Sequence, residues 1–372
     1  MPKLSQTATE ARVEFVFSVP FDLMNAMYFT SLVEQIEGID GWPEQVRKEM
    51  APDLRAELNF LFTFPKGDPG IMGTLTDRLF AHREAWPDVE ALLRFVRELP
   101  AGIGKSYSNP GVQGLAFYTA CSPFTLPGQE PAPSADPRAE LGRALDQAGV
   151  DADATLALYD RPEELRERMA ALIERFYEQH YRHDLPRRLP CLERSVAFHR
   201  SQPAGDMAAL ARRLTGRTTS CLERQGDGRP PVCAGPYAEY IFVPSLDMGP
   251  YVSCADVPPV HGLFYPCEAE FQGAEQEAEA TRRLARLYRA LSDEQRLRIL
   301  RLLAGREMYA QEIVEQTGLH QPVVSRHLTF MTAVGLLRSR RQNNMKFFSL
   351  NPAVREELGQ TLQLFPFQGT TS

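Results

Sequence analysis

The chain has 372 residues, 43% apolar and 24% charged, a composition that suits a globular protein of two or three domains. Its net charge of −7 excludes general affinity for nucleic acid, but the charge is unevenly spread: residues 271–372 hold 14 Lys/Arg against 10 Asp/Glu, and the first 270 hold 27 against 38. No apolar run approaches the ~20 residues of a membrane span.

Glu10, Glu14 and Asp22 interrupt the N-terminal apolar stretch, which excludes a signal peptide. The six cysteines show no short paired spacing, so reduced thiols in a cytoplasm are expected.

In chain order, residues 13–19 alternate enough for a strand. Residues 21–36 read as a helix with Leu23, Ala26, Met27 and Leu32 inward. Helices are predicted at 44–50, 52–61, 71–83 and 88–98, bounded by Pro43, Pro52, Pro65 and Pro87. The run from Gly102 to Ser106 has the glycines and lysine of a phosphate loop. That pattern needs a glycine at position 99, which is Leu99, so a plain turn is expected.

Residues 124–137 form a Pro-, Ser- and Gly-rich loop. Helices resume at 138–147 and 162–181, the second carrying Leu165, Met169, Leu172, Ile173 and Phe176 at helical spacing. Residues 185–199 and 207–214 look helical, and 226–236 is another loop. Short strands are predicted at 238–243, 251–254 and 262–265.

Three constellations in this part have a functional reading and a plainer one. His180 and His183, with Cys191 and His199 downstream, are either metal ligands or packed histidines near a helix end. Cys233, Cys254 and Cys267 are either a redox group or buried small hydrophobes. Tyr237, Tyr240, Tyr251, His261 and Tyr265 either line a pocket for a small ligand or serve as structural aromatics. No nucleophile–base or paired-carboxylate motif stands out, so no catalytic residue and no cofactor are expected.

The C-terminal part is sharper. Leu284, Leu287, Tyr288 and Leu291 make a helix stripe, and Ser292 with Gln295 reads as a capping box for a helix ending at Gly305. Residues 308–335 then read as two helices joined by a tight turn. Gly318 takes the left-handed C-terminal position, and Pro322 falls in the first turn of the second helix. Val324, Leu328 and Met331 form its apolar stripe, so Pro322, Ser325, Arg326 and Thr329 face the other way. That face suits the major groove of DNA. Residues 336–341 and 346–350 look like two strands around a turn containing Asn343 and Asn344. From His320 to Lys346 there are five basic residues and no acid, so the hairpin is placed as a wing against phosphates.

Residues from about 280 to 350 resemble the ArsR/SmtB family of bacterial winged-helix regulators, a fifth of the chain. The resemblance is carried by Leu291-Ser-Asp-Glu-Gln-Arg-Leu-Arg-Ile-Leu-Arg-Leu-Leu303, Gln321-Pro-Val-Val-Ser-Arg-His-Leu328 and Val334-Gly-Leu-Leu-Arg-Ser-Arg-Arg341. It implies DNA binding and dimerisation. Metal sensing is not implied: Tyr309 and Gln311 stand where metal-sensing members carry cysteines, and residues 352–365 hold neither Asp nor His. His320 stands where the family often has Ser.

The expected fold is mainly α (α+β): a large helical domain with a small sheet at 1–270, and a winged helix-turn-helix at 274–365. The expected DNA contacts are His320, Gln321, Ser325, Arg326, Thr329, Arg340, Arg341, Asn343 and Lys346. The expected function is a cytoplasmic, homodimeric regulator, more a repressor than an activator, on double-stranded DNA. Its N-terminal domain would receive a signal, with a small-molecule effector among the aromatics above. The competing readings are an enzyme with a borrowed DNA-binding tail and a ligand-free architectural protein.

Overall fold

A computed structural model describes residues 12–62, 87–99, 101–104, 122–124, 136, 139, 142, 152–202, 209–210, 214, 238–257, 260–267, 271, 276–342, 345–354 and 358–359. The predicted helix at 71–83, the loop at 226–236 and most of 138–147 lie outside these residues. The chain divides into two compact units, residues 1–205 with 232–277, and 206–231 with 278–372.

In the first unit, β1 (Arg12–Phe15) gives way after three residues to α1 (Val19–Leu32). The strand predicted to residue 19 ends at Phe15. Ser18 turns instead into a helix cap whose hydroxyl accepts from the Phe21 N–H, and Pro20 fits the first helical turn, where its missing N–H costs nothing. Leu23, Ala26, Met27 and Leu32 are buried as expected, but so are Asp22, Asn25, Thr30 and Ser31. A helix buried all round is a core helix rather than a surface one.

Around it lie α2 (Trp42–Glu49), α3 (Pro52–Phe62) and α4 (Val89–Arg97), then β2 (Ala101–Gly104) and β3 (Ser122–Phe124), which pair antiparallel. The described part of the Gly102–Ser106 run is therefore strand, not the expected turn. Its partner lies some 20 residues on, and no local signal announces that pairing. Next come α5 (Ala152–Tyr159) and α6 (Pro162–Phe176), a single π turn (Tyr177–Tyr181), and α7 (Arg182–Arg200). The expected break before residue 185 is absent. The Arg182 N–H bonds back five residues to Tyr177, so the wider turn carries the helix on.

β4 (Glu239–Ser245), β5 (Ser253–Val257) and β6 (Val260–Pro266) complete a four-stranded sheet of order β1-β4-β6-β5. β1, β4 and β6 run parallel; β5 is antiparallel to β6. One face, with Ile241, Val243 and Phe264, joins the core of α1, α3, α4 and α6. The other lies under α7: Phe15 stacks on both Phe242 and His199, and the Tyr265 hydroxyl is 3.0 Å from Ser195 Oγ.

The second unit holds α8 (Gln276–Leu291), α9 (Glu294–Leu302), β7 (Met308–Tyr309), α10 (Ala310–Thr317), α11 (Gln321–Ala333), β8 (Leu337–Gln342) and β9 (Met345–Leu350). The three strands form one antiparallel sheet, β7-β9-β8. The cap of α9 is Asp293, not the predicted Ser292. Asp293 Oδ1 accepts the Arg296 N–H at 2.9 Å, while the Ser292 hydroxyl is spent on Arg289 O behind it. Leu287, Ile299, Ile313, Val324, Leu328, Met331 and Phe348 share one core. Among the described residues no helix is long and apolar enough to cross a membrane.

Candidate nucleic-acid interface

Gly318 adopts φ 70°, ending α10, and two residues later His320 is extended and opens α11. Val324, His327, Leu328, Phe330, Met331 and Ala333 are buried. Gln321, Pro322, Ser325, Arg326 and Thr329 are exposed on one face, and His320 is exposed at its start. This is the face that the 3.6-residue period assigned.

Two contacts hold that face in place. His327, which the periodicity did not single out, reaches back to α9, its Nε2 lying 3.1 Å from Gln295 Oε1. The buried Arg296 lays its guanidinium over the Phe330 ring at 5.1 Å. Burial opposes ionisation of Asp293, but the Arg296 N–H and the nearby Arg296 charge prevail, and its carboxyl titrates below the ordinary range.

In the wing, Arg340 pairs with Phe347 across the strands, and Arg341 with Lys346. Lys346 Nζ lies 5.2 Å from the Phe348 ring centre. At the base, Arg338 donates to Asn351 Oδ1 at 2.9 Å, and Asn351 Nδ2 donates to Gly335 O at 2.8 Å. Arg340 is committed. Its Nε donates to Glu307 Oε2 at 2.7 Å, its Nη2 donates to Glu307 Oε1, and its guanidinium lies over Phe347. That fork lowers the Glu307 carboxyl pKa and raises that of Arg340. Glu307 lies 33 residues before Arg340, outside the acid-free stretch the sequence marked out. Asn343 and the Arg341 side chain lie outside the described residues.

A profile of the family "Bacterial regulatory protein, arsR family" matches residues 293–339. The arsenical resistance operon repressor of Staphylococcus aureus is 31% identical over 81 residues, which are 22% of this chain and 78% of the repressor. The chain belongs to the arsR family of bacterial regulatory proteins. It is also 39% identical over 71 residues to the HTH-type transcriptional regulator KmtR of Mycobacterium tuberculosis. The match covers 19% of this chain and 55% of KmtR, so the chain spans about half of that relative. Among solved structures, a homodimeric winged helix-turn-helix DNA-binding domain of a possible ArsR-family regulator from Mycobacterium bovis is 27% identical; it covers 24% of this chain and 83% of that one, with a TM-score of 0.22.

The second unit of this arsR-family chain thus carries the helix-turn-helix of a DNA-binding regulator. At the position of Tyr309 the ring packs edge-on against Phe347 at 6.0 Å.

Of the five aromatics, the four described ones are divided between two environments. Tyr240 and His261 are in contact, with ring centres 5.7 Å apart, and Tyr265 follows on the same sheet face beneath α7, its hydroxyl engaged with Ser195. Tyr251 belongs to the other side, packing on the helical core with its hydroxyl on Glu37 O. Tyr237 lies outside the described residues. Tyr251 lies in the loop before β5, outside the strand alternation that keeps Tyr240, His261 and Tyr265 on one face.

His180 lies on the π turn, where burial lowers its imidazole pKa, while His199 is stacked under the sheet. Among the described residues no group of three or more His, Cys, Asp or Glu is gathered to hold a metal ion. Cys191 and Cys267 are buried thiols in one small apolar cluster. Cys254's side chain and Cys233 lie outside the described residues.

Proposed function

We propose that the protein is a transcriptional repressor that binds an inverted-repeat operator as a homodimer, with its larger unit receiving a signal. The observation that carries this reading is the exposed face of α11. It bears Gln321, Ser325, Arg326 and Thr329 with no acid among them, and it is braced from behind by His327 and Arg296. Arginine and glutamine are suited to bidentate contacts with guanine and adenine edges, and serine and threonine hydroxyls to either base edges or phosphate. Lys346, Arg341 and Asn343 on the wing, with Arg340 once released from Glu307, would meet the sugar–phosphate backbone.

A two-fold dimer through α8 and residues 352–365 would set two such helices in successive major grooves, about 10 bp apart. The S. aureus relative is named a repressor and the M. bovis neighbour a homodimer. The acidic balance of residues 1–270 makes that part a poor DNA binder. Its role in regulation would therefore be indirect, through a small-molecule effector and not through catalysis.

The deciding experiment is selection of bound sequences from random duplex DNA by the full-length protein. An enriched inverted repeat with half-sites one helical turn apart is expected. Recovery of unenriched DNA would sink the reading.

A further inference from the structure

The first unit encloses a polar cluster that apolar packing alone would not call for. Arg188 on α7 is 0% exposed. Its Nη1 donates to Asp22 Oδ2 at 2.9 Å and to Asp247 Oδ2 at 2.6 Å, and these two carboxylates are 2% and 3% exposed. The Tyr181 hydroxyl donates to Asp22 at 2.7 Å. Arg188 Nε lies 2.7 Å from Asp184, which also holds Arg187 by two hydrogen bonds. Among the described residues, two guanidinium groups thus face three carboxylates, and with all three ionised the cluster is one positive charge short. Buried charge without a counter-charge is strongly unfavourable. A second observation points the same way: among the described residues Arg188 Nη2, like its Nε, is buried with no hydrogen-bond partner. A buried, charged donor left unspent calls for an acceptor.

β1 and β4 run parallel, β1 leads directly into α1, Asp22 lies in the first turn of α1, and Asp247 lies two residues beyond β4. Both carboxylates therefore sit just beyond the carboxyl ends of the parallel strands β1 and β4.

The cover is an aromatic one. The Arg188 guanidinium lies 4.2 Å from the Trp42 ring and 4.8 Å from that of Tyr181. Trp42 is half-buried and opens α2 directly after Gly41 (φ 74°), with Gly38 (φ 90°) just upstream. That segment rests on the loop carrying Asp247. A Cβ on Gly249 would stand 2.4 Å from Gly38 O, and Tyr251 donates to Glu37 O.

We infer that this cluster binds a small organic cation, an alkyl- or arylammonium compound with a neighbouring oxygen, admitted when the segment 38–42 lifts. The ammonium group supplies the missing charge and donates to Asp247 and Asp22. Its oxygen accepts from Arg188 Nη2, and its apolar part lies against Trp42. A proton competes with it for the same carboxylates. Burial pushes the Asp247 carboxyl up against the pull of Arg188, with Asp22 and Asp184 adding to the rise. Tyr181 and Arg187 complete the groups around it. Any proton that Asp247 holds goes to solvent as the cation binds, so charge balances. As an effector site this rests on the sensor reading above; as a binding site it does not.

The test uses the full-length protein without DNA, titrated by calorimetry in buffers of different ionisation heat. The probes are ethanolamine and 2-amino-1-phenylethanol, and the neutral control is 1-phenylethane-1,2-diol. Saturable binding of the amines but not the diol is expected, with release of up to about one proton per ligand and affinity rising with pH. Asp247→Asn should bind at least about tenfold more weakly and release no proton. If that variant does not fold, Trp42→Phe, which retains an aromatic face, takes its place and should lose affinity severalfold. Absence of saturable amine binding below about 10 mM, equal binding of the diol, or parental affinity in the folded variant overturns the site. Operator affinity is then measured with and without the bound amine. A site that fills without changing it refutes the sensor reading and leaves the binding site standing.

Discussion

Replacing Glu307 with Gln isolates what the wing arginine does. Glu307 and Arg340 side chains are each 40% exposed, so their two-bonded pair counts as a surface ion pair, worth about 0.2–1 kcal/mol after screening. To meet a phosphate, Arg340 must give up much of that fork. Removing the carboxylate returns this cost, so Glu307→Gln should tighten binding to any duplex by about 1.4- to 5-fold. Where the parent instead keeps the fork closed on DNA, the guanidinium freed in the variant neutralises one more phosphate, steepening the salt dependence by up to about 0.9 in log–log slope. The loss of a negative charge near DNA would tighten binding even without the fork, and a double-mutant cycle separates the two effects. Fluorescence anisotropy over a salt series, with parent, Glu307→Gln, Arg340→Ala and the double variant, reads both. The expected result is a gain for Glu307→Gln that shrinks in the Arg340→Ala background. An equal gain in both backgrounds would refute the latch and leave only charge.

On the recognition face, Arg326→Ala should cost about 1–3 kcal/mol on the selected site and relax base preference there, whereas Lys346→Ala should weaken all sequences alike and lower the salt slope by about one. Parental binding by Arg326→Ala would show that another element reads the bases. Gly249→Ala should destabilise the first unit by about 2 kcal/mol or more, because a positive φ and a backbone carbonyl at 2.4 Å leave its Cβ no place; an unchanged denaturant midpoint would contradict this. Asp293→Ala should cost the second unit about 1 kcal/mol of helix-cap stability. Because the folded Asp293 titrates below its unfolded value, that contribution is complete above the unfolded pKa and fades as pH falls through the folded one, so parent and variant should converge in acid. Chelators should leave DNA binding unchanged, since residues 309 and 311 are Tyr and Gln; a stoichiometric metal recovered with the second unit would overturn that.

The second unit was legible in the sequence because its signals are local. Gly318, Pro322 and the stripe of Val324, Leu328 and Met331 fix two helices and the face between them, whatever else surrounds them. A period of 3.6 decides which side is buried, and it placed Ser325, Arg326 and Thr329 outward before any contact was known. Glu307 escaped notice because its partner is 33 residues away and no spacing rule connects a residue before a helix to a wing after it. The cap falls on Asp293, one position after Ser292, because both residues fit overlapping capping patterns and the folded chain turns the Ser292 hydroxyl back to Arg289 O.

In the first unit local periodicity located helices such as α1 and α6 and the strands β4 and β6, but not the β2–β3 pairing or what these elements enclose. Periodicity gave α1 an apolar side; it could not foresee that Asp22 and Asn25 would be buried too, because their partners Arg188 and Ser245 come from elements about 166 and 220 residues away. Nor could it bring the Arg188 guanidinium over the Trp42 and Tyr181 rings, since that required the π turn to carry the helix on into α7 and a glycine-bounded segment to settle on the loop after β4. Local propensity is a property of neighbours along the chain. A buried charge cluster is satisfied only by groups converging from distant segments, and only the tertiary structure decides which ones meet.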